Sequence, residues 1–256
     1  MNRPVWVTEL AGSFWQLAGT PAPFPRDLRC AITRALPVSV VARPGLTVAG
    51  LAGWLVAVGV PSTLGVADRR LRGALVAREG AGLLFVDAAD DPAEQRFTAA
   101  HELAHFLRDY WRPRARTASA LGVGALDVLD GRRPARVGER AQALLRGVRL
   151  EYFTHLLART EDGCDAAVAA AEADADRLAF ELLAPAEDAL AAGADAGRLA
   201  ARFGLPPAKA AEYAVLLGTG PAAGPVAERF AKFLRFVSNS PLPAGRDVGE
   251  GDDEQH

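Results

Sequence analysis

The chain has 256 residues, half of them apolar and 23% charged, with 29 basic side chains against 31 acidic ones. That balance excludes a global charge drive toward nucleic acid or acidic membranes, and the length allows a sizeable core. The two cysteines, Cys30 and Cys164, stand far apart, which excludes a disulfide scaffold and a cysteine-rich zinc site and fits a reducing compartment.

The N-terminal stretch "MNRPVWVTELAGSFWQ" lacks a signal peptide's order of charged, apolar and small-residue regions, so a cytoplasmic location is expected. Short helices are predicted over 8–20 and 26–36, around the turn-rich "TPAPFP". "PVSVVARP" (37–44) is β-branched and bounded by prolines, as a strand would be. The uncharged run from Pro44 has the length of a membrane span. Its glycines, Pro61 and Ser62-Thr63 break it, so a buried helix over 47–59 followed by a turn is expected, and no membrane association. "RLRGALVAREGAGLLFVDA" predicts a hairpin, with strands near 71–78 and 82–88 around a glycine-containing turn.

A helix start follows, with Asp91 as N-cap, Pro92 in the first turn and Glu94 completing a capping-box-like pattern. Phe97, Ala100, Ala104, Leu107 and Trp111 share one face, and Pro113 is expected to end the element. Residues 113–138, rich in Arg, Gly and Pro, predict irregular structure. A helix over 139–159, a turn at "TEDGCD" and a helix over 166–184 closed by Pro185 come next. "AGRLAARFGLPPAKAAEYAVLLG" (196–218) predicts two short helices around Gly204, resembling a helix-turn-helix. One more amphipathic helix is expected over 225–237, and then a polar, acidic, disordered tail. The fold class implied is α+β, mostly helical, with a small antiparallel sheet.

The chemistry concentrates in "RFTAAHELAHFLRDY" (96–110), which holds two of the four histidines, His101 and His105, with Glu102 beside the first. Residues four apart stack on one helix face, so both imidazoles can reach one metal. Glu102, about 100° round the helix from His101, falls beside that metal as a base and not a ligand. This is the H-E-x-x-H zinc pattern. A catalytic zinc needs a third protein ligand. In "AEADADRLAFELLAP", Glu172 and Asp176 share a face, which allows Glu172 as ligand and Asp176 as hydrogen-bond acceptor from a ligating imidazole. Asp174 and Glu181 fit this role less well. An acidic pair on a helix is more often a solvated face, so the choice of Glu172 depends on the first motif.

The two motifs together resemble the ImmA/IrrE family of zinc-dependent metallopeptidases. Arg96, Phe97, Ala100, His101, Glu102 and His105 match the family's first helix. Glu172, Ala175, Asp176, Ala179, Leu182, Leu183 and Pro185 match the second, with Leu178 where phenylalanine is usual. The resemblance implies a zincin-like metallopeptidase domain over 1–190, with an Arg-rich insertion at about 112–138. A helix-turn-helix-like segment over 191–238 and a tail over 239–256 would follow. It implies Zn2+ held by His101, His105 and Glu172, Glu102 as general base, and Asp176 orienting a ligand. The expected partner is a protein substrate such as a repressor-type transcription regulator, with an extended segment adding to the strand near 82–88. Tyr152 and His155 are weaker candidates for an oxyanion stabiliser. Direct nucleic-acid binding through the C-terminal helices or the Arg112–Arg149 segment is the competing reading. Zinc-dependent nucleobase deamination is excluded, because it needs a P-C-x-x-C element.

Overall fold

The computed structural model describes residues 4–19, 23–60, 67–148 and 166–218, and the backbone of 154–158. It is a mostly helical α+β fold, with a four-stranded sheet among the described residues. Helices α1 (Val5–Ala18) and α2 (Leu28–Ala35) precede strand β1 (Val38–Arg43) and helix α3 (Val48–Ala57). The hairpin β2 (Leu71–Arg78) and β3 (Ala81–Asp87) leads into α4 (Pro92–His105).

Alternation along the strands sends side chains to two faces. Leu75, Leu84 and Val86 join the large core under α4, α1 and α2. Ala74 and Phe85 join a smaller cluster with Val48, Leu51 and Leu55 of α3, where Trp54 meets the Phe85 ring edge-on at 5.2 Å. The first part of the uncharged run after Pro44 is thus a short helix laid on the sheet, and the turn expected at Pro61 and Ser62-Thr63 lies outside the described residues. No helix among the described residues is long and apolar enough to cross a membrane.

The sheet order is β1-β3-β2-β4, with β4 (Thr154–Ala158) pairing antiparallel to β2. Three expectations need correction here. The sheet is mixed and not antiparallel, because β1 runs parallel to β3, from Val38↔Gly82 to Arg43↔Asp87. The α3 crossover lies between β1 and the hairpin, which permits the parallel pairing. β3 is therefore interior and offers no free edge; the edges among the described residues are β1 and β4. The expected helix over 139–159 is shorter. Its counterpart α7 (Val137–Leu145) stops before Gly147, whose φ of 60° suits a helix end, and the chain re-enters the sheet as β4.

Two further expectations fail around α4. Neither Asp91 nor Glu94 forms a side-chain cap; the Gln95 amide donates to the Asp90 carbonyl at 2.7 Å instead. Pro113 does not end the element. The helix widens into a π-helical stretch (Phe106–Trp111), in which the Arg112 N–H donates to the Leu107 carbonyl, and continues as α5 (Arg112–Leu121) with Pro113 in its first turn. The wider turn relieves the ring's clash with the preceding turn.

The Arg-rich region is ordered too. A short α6 (Leu126–Leu129) and α7 follow α5, tied by Arg114 to Asp130 at 2.5 and 2.9 Å and by Arg133 to both Glu139 oxygens at 2.6 and 2.8 Å. Ion pairs between segments supply order that local composition does not indicate.

The long helix α8 (Ala166–Leu183) packs along α4 with Ala175, Leu178 and Leu182 buried, while Val168 near its start is 46% exposed. Then come α9 (Ala186–Ala191), α10 (Ala196–Phe203) and α11 (Pro207–Leu216), with Gly204 in left-handed conformation between the last two. The predicted helix over 225–237 and the acidic tail lie outside the described residues.

Candidate metal centre

α4 is buried continuously from Phe97 to Leu107, so its polar members sit inside the protein. His101 is 3% exposed, Glu102 0% and His105 1%, and such groups need strong partners. α8 supplies them. His101 Nε2 lies 3.1 Å from Glu172 Oε2 and 3.2 Å from His105 Nε2, while His105 Nε2 lies 3.6 Å from Glu172 Oε1.

A tetrahedral zinc site with bonds of about 2.1 Å sets its donor atoms about 3.4 Å apart. The three separations straddle that spacing, and two imidazoles and a carboxylate are a donor set of the kind that can hold a metal ion. The structure therefore brings together the three residues expected as ligands.

Each imidazole is oriented from behind. The His101 Nδ1–H donates to Asp176 Oδ1 at 2.7 Å, which directs Nε2 toward the donor cluster. The His105 Nδ1–H donates to Asp109 Oδ2 at 2.9 Å. Asp109 was not anticipated, although it stands four residues after His105 in the same helical run, and that spacing was the available signal. Arg108 holds it, donating from Nε to Asp109 Oδ1 at 2.7 Å and from Nη1 to the Ala171 carbonyl, next to Glu172, at 3.0 Å. Behind Asp176 stands Lys209 of α11, with Nζ donating to Asp176 Oδ2 at 2.7 Å. The two disfavoured acids have other work. Asp174 pairs with Arg177 at 2.7 Å, and Glu181 accepts from the Ala186 amide at 3.3 Å. Tyr152 and the side chain of His155 lie outside the described residues.

Burial lowers the His101 imidazole's proton affinity, but its hydrogen bonds to Asp176 and Glu172 outweigh that and hold its pKa at about 10. His105 is raised too, with burial again opposed by Asp109 and Glu172. Burial raises Glu102 to about 7, against the downward pull of both imidazoles.

These shifts set the pH response of metal-free protein. His101 binds its proton more tightly folded, at about 10, than at its ordinary 6.5, so its contribution is full below 6.5 and is lost as pH rises through about 10. Glu102 acts in the same sense between 4.5 and about 7. Chelator-treated protein is expected to melt at a lower temperature near pH 9 than near pH 6, whereas zinc affinity rises over the same interval because binding displaces those protons. Thermal melts of both forms across this interval check it.

Glu102 is the one acid of the centre whose two oxygens are buried with no hydrogen-bond partner among the described residues. Space for it comes from Gly73 on β2. A Cβ there would stand 2.5 Å from Thr98 Cγ2, 2.8 Å from Glu102 Oε1 and 3.1 Å from the Phe85 carbonyl. Gly73→Ala is expected to push α4 from the sheet, costing about 1–3 kcal/mol of stability and lowering activity further than the melting shift explains. Denaturant melts with matched rate measurements read both.

Arg96, which opens the first motif, serves the fold. Its guanidinium donates to the carbonyls of Phe203 and Gly204, and a Cβ on Gly204 would fall into it.

Residues 62–121, which span the hairpin and the helix bearing His101, Glu102 and His105, match the M78 peptidase family model described as the IrrE N-terminal-like domain. The match supports the resemblance to ImmA/IrrE metallopeptidases and with it a metallopeptidase-type function. Glu172 and Asp176 lie beyond the matched span. No curated protein and no solved structure matches the chain.

Proposed function

We propose that this chain, which resembles ImmA/IrrE metallopeptidases over 62–121, is a zinc-dependent endopeptidase that cuts a specific partner protein, such as a repressor-type transcription regulator. The observation that carries the zinc reading is the donor spacing: 3.1, 3.2 and 3.6 Å among His101, His105 and Glu172. A zinc ion there supplies Lewis acidity to water and to the scissile carbonyl.

The remaining steps belong to the chain's own side chains. Glu102, poised near neutrality and without a hydrogen-bond partner among the described residues, takes the proton of the attacking water. It then delivers that proton to the leaving amine as the C–N bond breaks. Asp176 and Asp109 each accept the Nδ1–H of an imidazole, which fixes the ring's orientation and leaves Nε2 to face the metal position. An extended substrate is received as an added strand at β4, the edge beside the strand that carries Gly73.

Nucleic-acid binding has one favouring observation, the α10–Gly204–α11 pair. Three of the charges that would serve it are engaged elsewhere. Lys209 faces Asp176, Arg132 pairs with Asp127 at 2.9 Å, and Arg133 pairs with Glu139. That favours the peptidase.

The experiment is cleavage of the transcription regulator encoded nearest this gene, with added zinc, read by intact mass. A discrete cut supports the proposal. Release of short peptides from unrelated unfolded proteins at a similar rate contradicts narrow specificity.

A further inference from the structure

Resting on that zinc reading, we infer that α10–α11 is a working part of the metal centre and that Lys209 is a positioning residue for His101. Asp176 has two oxygens and each is fixed by a different donor, Oδ1 by His101 Nδ1 at 2.7 Å and Oδ2 by Lys209 Nζ at 2.7 Å. A carboxylate held at both oxygens cannot pivot, so the imidazole hydrogen-bonded to it cannot rotate its Nε2 away from His105 and Glu172.

Lys209 is itself held in place. Its ammonium also donates to Glu212 at 3.0 Å and sits 5.0 Å from the centroid of the Phe97 ring. The helix that carries it is docked firmly. Tyr213 stacks on Phe180 at 4.4 Å with an interplanar angle of 1°, and its hydroxyl donates to the Ala184 carbonyl at 2.9 Å. Arg96, from the ligand-bearing helix, donates to the carbonyls at the end of α10. A displacement of α11 is therefore transmitted to Asp176 and from there to His101.

The two histidines differ in this respect. The orienting pair of His105, Asp109 and Arg108, lies within its own helical run, whereas the cation behind Asp176 comes from an element 33 residues further along the chain. The helix-turn-helix shape thus serves as a brace for a ligand, and a protein that grips α10–α11 would act on zinc affinity through Lys209.

The test measures zinc affinity of the full chain by competition with a chromophoric chelator. The variants are Lys209→Met, Lys209→Gln and Lys209→Arg, with Arg198→Ala on the exposed face of α10 as control. Lys209→Met is expected to weaken zinc binding about tenfold, the lower end for loss of a group behind a ligand. Lys209→Gln, which keeps a donor without the charge and guards against a misfolded Met variant, should lose less, and Lys209→Arg should recover most of the affinity. Arg198→Ala should bind as wild type does. Folded Lys209 variants with wild-type affinity overturn the inference, as does an equal loss in Arg198→Ala. Wild type that fails to bind zinc overturns the metal reading itself, a result distinct from either.

Discussion

Glu102→Gln is expected to keep its zinc and its fold while losing cleavage by about 10²–10⁴-fold, the range for removing a general base. The reasoning starts from burial. Glu102 is 0% exposed, and its two oxygens have no hydrogen-bond partner among the described residues, an arrangement that costs stability and persists where function requires it. Its carboxylate lies against Gly73, and glutamine has nearly the same volume, so the space between α4 and β2 is unchanged. What disappears is a carboxylate able to accept a proton near neutral pH. Zinc content by elemental analysis beside the rate of cleavage separates the two roles. A variant that loses its metal would make Glu102 a ligand, and one that keeps full activity would remove it from the reaction.

Glu172→Ala is expected to abolish stoichiometric zinc binding. Two imidazoles alone leave the donor set one protein ligand short of the three found in catalytic zinc sites. Glu172 faces both, at 3.1 and 3.6 Å from their Nε2 atoms, and is the one carboxylate brought into the cluster from α8. Its side chain is 26% exposed, so truncation should disturb packing little. A chain that still retains one zinc after dialysis against a weak chelator would refute this assignment. Asp176 would then need to be re-examined, although its two oxygens already bind His101 and Lys209.

The site was largely legible in the sequence because its parts repeat on a helical period. His101 and His105 follow from the four-residue stacking rule and Glu102 from its place about 100° round the same helix, whereas Glu172 with Asp176 stands out only because the first motif requires a third ligand. The hairpin strands were also legible, since alternation and a glycine-containing turn are local signals. What escaped depends on contacts remote in sequence. The partner of β1 is chosen by the α3 crossover, and β4 is a short strand that exists through its pairing with β2. Pro113 carries the local signature of a stop, yet the π-helical stretch before it absorbs the ring. Lys209 could be noticed as a rare lysine, yet nothing local shows that it ends on Asp176, which only the docking of α11 against α8 determines.

The most direct measurement is X-ray absorption at the zinc edge on protein loaded with one equivalent of zinc. The account predicts a first shell of nitrogen and oxygen at about 2.0–2.1 Å, with outer-shell scattering from two imidazoles and no sulfur. Scattering from fewer than two imidazoles, or a sulfur shell at about 2.3 Å, would contradict a centre built from His101, His105 and Glu172.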